Sequence, residues 1–334
     1  MNTTMLSLIV PVYERPQEVK ELLDSLTKQT RKEFEVIIVE DGSGEGKICN
    51  YVVEMYTENL SIAYYYIPNG GPGKARNYGA GKAEGDYFIV LDSDCILPPN
   101  YIESVYEELE RTNADAFGGP DRASENFTDV QKAINYSMTS FFTTGGIRGG
   151  KKELDKFYPR SFNMGIRRSV YEHLGGFSKM RFGEDIDFSI RIYGAGYKVC
   201  LFSPSWVYHK RRTGWKKFFK QVYNSGIARI NLYKKYPQSL KPVHLLPAAF
   251  VLGVFVLLIG TLFCWWSLSP LLLYAVLVCA DSGLKNKSVK IGLLSILASY
   301  IQLTGYGCGF ISGVWNRFVL GKGEFAAFES NFYK

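Results

Sequence analysis

An α/β fold, with a doubly wound and mostly parallel sheet leading into a C-terminal helical membrane anchor, follows from three features of this 334-residue chain. Short apolar runs alternate with segments of helical period as far as Leu91, the pattern of parallel strands joined by crossover helices. Each run closes in a polar turn, so the turns gather on one sheet edge, where open α/β sheets bind their ligands. Beyond Lys241 charge disappears: neither residues 245–280 nor residues 291–315 contain an Asp, Glu, Lys, Arg or His.

Taken in order, residues 6–10 form the first strand and Pro11 ends it, because proline cannot donate to a ladder. Pro16 opens a helix whose Val19, Leu22, Leu23 and Leu26 share a face. Residues 34–39 are a second buried strand, closed by Glu40-Asp41-Gly42-Ser43, and a helix through Ile48, Val52, Val53 and Tyr56 follows. Residues 62–67 are the third strand, Asn69-Gly70-Gly71-Pro72-Gly73 its turn, and residues 74–82 a helix. The fourth strand, Tyr87-Phe88-Ile89-Val90-Leu91, runs into Asp92-Ser93-Asp94. A helix over 101–111 and a strand over 116–118 come next.

From residue 120 to 160 the periodicity weakens. This Gly-, Thr- and aromatic-rich stretch is expected to be a lid or binding loop, flexible at Thr143-Thr144-Gly145-Gly146 and Gly149-Gly150. Residues 162–166 return as a strand and 168–174 as a helix. Gly183-Glu184-Asp185-Ile186-Asp187 then opens a helix running to Tyr193.

A mean hydropathy of −0.06 passes for an ordinary globular chain only because it averages a polar part with an apolar one. As one helix, residues 245–280 would be roughly 54 Å long, against a hydrocarbon core of about 30 Å. The run should therefore break, at Ser267-Leu268-Ser269-Pro270, into a hairpin followed by a third apolar segment, giving two to three spans. Residues 5–12 are too short and too weakly flanked for a signal peptide, so the part before the membrane is expected on the cytosolic side of a plasma (cell inner) membrane. The six cysteines show neither metal-type spacing nor a disulfide framework.

Between Asp187 and Asp281 there is no acidic residue, while twelve Lys and Arg fall in that interval. The patch abuts the apolar runs, so a membrane surface explains it better than nucleic acid does. Within it, Trp215, Phe218, Phe219, Val222, Tyr223, Ile230 and Tyr233 follow helical spacing, bordered by Lys216, Lys217, Lys220, Arg229, Lys234 and Lys235. That pattern fits an interfacial helix, or a helix packed on its own domain.

Three acidic turns remain. Asp92 and Asp94 repel each other unless a cation sits between them, and hard oxygen ligands suit Mg²⁺ or Mn²⁺; two solvated loop carboxylates are the plain alternative. Asp41 closes a neighbouring strand on the same edge. Glu184, Asp185 and Asp187 begin a helix, where carboxylates also serve as caps. Asp187 and Arg191 stand four apart, as a structural salt bridge would. Together, one carboxylate to hold a sugar or base, two for a metal and one to accept a proton are the parts of a metal-dependent nucleotide-sugar transfer. The Asn69–Arg76 turn lacks the spacing of a phosphate-binding P-loop and follows the third strand, not the first, so a dinucleotide fingerprint is weak there.

Val10-Pro11-Val12-Tyr13, Glu40-Asp41-Gly42-Ser43, Gly73-Lys74-Ala75-Arg76-Asn77, Asp92-Ser93-Asp94 and Gly183-Glu184-Asp185-Ile186-Asp187 occur in an order and spacing that resembles the family 2 glycosyltransferases, which have the GT-A fold. The resemblance covers about residues 5–209. It implies that Pro11, Tyr13 and Asp41 hold the nucleoside, that Arg76 lies near the donor, and that Asp92 and Asp94 bind the diphosphate through a metal. Asp185 matches the catalytic base, with Glu184 beside it, and His209 sits where such enzymes often place a third metal ligand. The Gln-Xaa-Xaa-Arg-Trp motif of processive members is replaced by Arg211-Arg212-Thr213-Gly214-Trp215, which points away from a polysaccharide synthase.

The expected organisation is a catalytic domain at 1–212, a basic interfacial helix and linker at 213–241, membrane helices at 242–318 and a tail at 319–334. The expected partners are a nucleotide-diphosphate sugar, a lipid-linked or glycan acceptor and membrane lipids, without nucleic acid. Direct transfer to a polyprenyl phosphate, or a binding protein that has lost the chemistry, are the alternatives.

Overall fold

The computed structural model describes residues 5–46, 48–122, 127–145, 157–180 and 182–324. They fall into two compact units. The first holds residues 5–122 and 157–210, and the second residues 127–145 and 211–324. The second unit thus takes in part of the 120–160 stretch that was assigned above to the catalytic domain.

The first unit runs β1 (Leu6–Val12), α1 (Pro16–Leu26), β2 (Phe34–Asp41), α2 (Asn50–Glu54), β3 (Ser61–Ile67), α3 (Pro72–Ala80), β4 (Tyr87–Leu91), β5 (Cys95–Ile96), α4 (Tyr101–Thr112), β6 (Ala116–Gly118) and β7 (Asp121–Arg122). Between β7 and the strand that resumes this unit, α5 (Asp129–Thr139) and α6 (Phe141–Thr144) belong to the second unit. The first unit then continues with β8 (Asn163–Arg167), α7 (Arg168–Leu174), α8 (Glu184–Gly194), β9 (Val199–Leu201) and β10 (Val207–His209).

One sheet has the order β3-β2-β1-β4-β8-β6-β9, with β8 antiparallel to both neighbours and the other pairings parallel. Alternate strand residues feed two cores, one on each face. Leu8, Val10, Val36, Ile38 and Ile89 pack on one side, and Ile9, Ile37, Val39, Phe88 and Val90 on the other. A sheet buried on both faces is why these strands read as continuous apolar runs.

Pro11 does not end β1, which continues to Val12 with Pro11 opposite Val39. The pairing of β1 with β4 stops at Ile9, so proline's missing N–H falls where one side of the strand is open.

A second, small sheet orders β5-β10-β7 and joins the residues after Asp94 to His209.

The second unit adds α9 (Trp215–Lys235), α10 (Leu246–Gly260), α11 (Ser269–Asn286) and α12 (Val289–Val314) to α5 and α6. α5 carries a capping box made by Thr128 and Gln131, so ordered helix stands where an irregular loop was expected. Gly145 caps α6 in the left-handed region, while Gly146, Gly149 and Gly150 lie outside the described residues. The long apolar run breaks over residues 261–268, through a 3-10 turn at Trp265–Leu268. Among the described residues, three helices are long and apolar enough to cross a membrane: Pro242–Gly260, Trp265–Asn286 and Val289–Val319. Much of the stripe on α9 packs inward, although Phe219 stays 40% exposed. Phe218 and Val222 share a core with Ala133, Ile134 and Ala298, and Ile230 packs with Phe310 and Ala248.

Candidate functional site

The site lies in the first unit, where β1, β2 and β4 end. Asp41 is fully buried at the end of β2, and its two carboxylate oxygens accept the amides of Gly70 and Gly71 at 2.7 and 2.8 Å. Asn69 donates to the Asp41 carbonyl at 2.8 Å, so the glycine-rich turn is pinned to the strand end before α3 begins. Pro11 and Tyr13 stand beside it at the end of β1. Glu40 faces the other way, into the core. There it accepts from the amide and thiol of Cys49 and from Ser43, so its role is to hold this loop together.

Arg76, on α3 and 3% exposed, organises the centre. One guanidinium nitrogen donates to Glu184 at 2.7 Å and another to Asp92 at 3.0 Å, and the group lies over the Phe177 ring at 5.2 Å. Burial opposes its charge, but Asp92 and Glu184 outweigh that and raise its pKa. Burial pushes the Glu184 carboxyl up despite Arg76, with the charge of Asp185 adding to the effect. Asp185, on the next residue of α8, is also buried. Arg160 overcomes that burial with an ion pair at 2.7 Å and keeps its carboxyl below the usual range. The Ile186 amide donates to its other oxygen at 2.8 Å. Asp187 stays out of the site: it is fully buried against Arg191 at 3.0 Å, the structural salt bridge its spacing predicts.

The small sheet brings His209 to the carboxylate pair. Its Nε2 is 3.2 Å from Asp94 Oδ1 and 3.8 Å from Asp92 Oδ2, with the ring stacked on Phe162 at 4.9 Å. Ligands at adjacent corners of an octahedron with bonds of about 2.1 Å are about 3 Å apart, so the His209–Asp94 separation suits a small divalent ion, while that to Asp92 is longer. Cys95 stands within the same corner, its ligand atom within 4.8 Å of those of Asp94 and His209. Burial raises its thiol well above the ordinary value, and it donates to the Phe162 carbonyl, so it is poorly suited to bind as a thiolate. Asp94 and His209 fit such an ion better, and Asp92 stands beside them, 3.8 Å from His209.

Two arginines had gone unnoticed in the sequence. Arg15, in the turn after β1, pairs with Asp94 Oδ2, and Arg160 pairs with Asp185. Arg15 sits on the same polar edge as the acidic turns, a signal available in the sequence. Arg160 stands 25 residues from its partner with no pattern linking them.

The sequence pattern described as glycosyl transferase family 2 matches residues 7–175. GlyG of Streptococcus pneumoniae is 32% identical over 272 residues, covering 71% of this chain and 89% of that protein. An uncharacterized glycosyltransferase of Rickettsia conorii is 37% identical over 119 residues, which is 35% of this chain and 19% of that protein. Among solved structures, a mannosyltransferase from Pyrobaculum calidifontis, in complex with GDP-Man and Mn²⁺, superimposes with a TM-score of 0.62 at 16% identity, over 95% of this chain and 89% of that one. With its mixed, mostly parallel sheet of GT-A type and its acidic crevice, the chain belongs to glycosyl transferase family 2.

Proposed function

We propose that the protein is an inverting, metal-dependent glycosyltransferase that moves a sugar from a nucleotide-diphosphate donor to a hydroxyl of a lipid-linked or glycan acceptor at a membrane. One observation carries this reading. Arg76 bridges Asp92, beside Asp94 and His209, to Glu184, beside Asp185, which supports a cation corner and a proton acceptor sharing one crevice. The Pyrobaculum neighbour, solved with GDP-Man and Mn²⁺, supports a nucleotide-sugar donor.

Asp92, Asp94 and His209 would hold Mg²⁺ or Mn²⁺, which when bound offsets the charge of a departing nucleoside diphosphate. Pro11, Tyr13 and Asp41 take the nucleoside. Arg76 keeps the Asp92 carboxylate aimed at the crevice and fixes Glu184. Asp185, ionised because Arg160 holds it so, accepts the proton of the acceptor hydroxyl as that oxygen attacks the anomeric carbon. Attack from the face opposite the leaving group inverts that carbon.

The exposed apolar surfaces of α10 and α11 support anchoring in a membrane. We take it to be the plasma (cell inner) membrane, with the catalytic domain on the cytosolic side that the flanking Lys and Arg favour. Transfer to a polyprenyl phosphate is the second reading, and the Arg160–Asp185 pair favours it, since a carboxylate held below its usual pKa is a weak base and a phosphate acceptor needs little base. A screen of nucleotide sugars for hydrolysis by the purified full chain with Mn²⁺ tests the proposal. Release of one nucleoside diphosphate supports it, and none from any donor means a binding protein without the chemistry. Tolerance of Asp185→Asn would select the polyprenyl-phosphate reading.

A further inference from the structure

The number of membrane crossings turns on α12. By length and composition it is a span, yet its neighbours in the second unit are not those of one. α10 and α11 form a hairpin: Ser267 at the tip donates to the Leu257 carbonyl at 2.9 Å, and the rings of Phe250 and Tyr274 lie 5.9 Å apart. The two feet of the hairpin, near Leu246 and Asn286, therefore lie on one side. α12 starts against one foot, where Gly292 packs on Cys279 and Gly283. It runs beside α11 as far as Tyr300, whose hydroxyl donates to the Leu271 carbonyl at 2.7 Å. Were it to continue antiparallel to α11, Gly307 would lie beside Leu268 at the tip. Instead Gly307 packs against the Pro247 carbonyl and Val251, in the first turns of α10. In about 22 Å of helix, α12 has travelled from one foot of the hairpin to the other.

α9 follows the same course. Val222 meets Gly305, Tyr223 meets Gly309, Ile230 meets Gly313, and the Tyr233 ring lies 5.9 Å from that of Phe318, so the two helices run parallel along most of α12. Exposed lysines punctuate α9 from Lys216 and Lys220 to Lys234 and Lys235. Past Lys290 in its first turn, the exposed side chains on α12 are apolar, Leu293 at 57% and Leu297 at 46%, followed just past its end by Trp315 at 57%. A helix pair with lysines on one member and exposed apolar residues on the other matches an interface, not a hydrocarbon core. Basic residues also stand at both ends of α12, Lys287 and Lys290 at one and Arg317 and Lys322 at the other, as expected if both ends face the same compartment.

We infer that α12 lies in the plane of the bilayer, crossing the feet of the hairpin, with its apolar face in the acyl region and the lysines of α9 among anionic headgroups. The protein then crosses the membrane twice, and its two chain termini lie on the same side. This rests on the membrane anchoring proposed above.

Paired fusions to the full chain test it in a bacterial host. A fluorescent protein that matures only in the cytosol and a phosphatase active only outside are placed in turn at the amino and the carboxyl end. The same reporter should be active at both ends; opposite reporters would mean that α12 spans and would overturn the inference. Carbonate extraction and labelling of the exposed tip residue Cys264 with an impermeant maleimide separate this from failure of the anchoring. A washable protein, or a tip unreachable from outside while both ends report together, sinks the spanning hairpin and leaves α12 in the plane.

Discussion

Replacing Arg76 with methionine keeps much of the side-chain volume and removes the charge that joins the two halves of the site. Its two partners are unequal. The Glu184 side chain is 10% exposed and that of Asp92 32%, so water screens Asp92 and leaves Glu184 to bear most of the loss. Stranding a buried partner typically costs about 3–5 kcal/mol. At about 2–4 °C per kcal/mol for a unit of this size, the first unit should melt about 6–20 °C lower. Adding Glu184→Gln should restore much of the difference, and adding Asp92→Asn much less.

The sign with pH follows from the same group. Burial already raises Glu184, and losing Arg76 raises it further. A carboxyl with a raised pKa destabilises the fold when ionised, so the deficit is present at neutral pH and shrinks as pH falls through the folded-state pKa. Differential scanning calorimetry of the full chain in detergent, at several pH values, reads both effects. A shift under 2 °C, or equal rescue by the two second substitutions, would show that Arg76 is not the electrostatic link described.

Three further outcomes are expected. Asp185→Asn should lower turnover by about 10²–10⁴-fold while nucleotide binding, read by calorimetry, stays near wild type; parallel loss of binding would make it a donor or structural residue. Arg160→Gln frees Asp185 from the partner that depresses it, so the acid limb of the kcat/KM profile should move to higher pH, and an unmoved limb would remove Arg160 from the chemistry. Changing Lys216, Lys217 and Lys220 together to Gln in the full chain should weaken its association with anionic vesicles more than with neutral ones, the contrast fading as salt rises; equal association with both would exclude a headgroup contact there.

The sequence was legible where one segment's own pattern decides its structure. Strands buried on both faces announced β1, β2 and β4, and the four-residue spacing of Asp187 and Arg191 announced their salt bridge. It was silent where partners are distant. β5, β7 and β10 have two or three residues each, too few for periodicity, yet their pairing sets His209 against Asp94. His209 could be named only by resemblance to a family. Arg160 ends a stretch whose composition suggested a loop, and its partner Asp185 lies 25 residues further on. The stripe on α9 was visible as a stripe, but periodicity says that a face is buried without saying against what, and the partners are α5, α12 and the start of α10. Pro11 misled because its cost depends on which side of the strand is paired, a property of the sheet.

The central claim, that the corner of Asp92, Asp94 and His209 works with Asp185 to transfer a sugar, is tested most directly by a cation titration. Purified full chain is stripped with chelator, given the donor found by the screen and an acceptor extract, and nucleoside diphosphate release is followed as Mn²⁺ or Mg²⁺ is restored. The account predicts no turnover in excess chelator, recovery that saturates with added cation, and a much weaker response in Asp94→Asn, whose lost charge leaves the cation underliganded. Full turnover in excess chelator, or an Asp94→Asn titration that overlays the wild type, would contradict it.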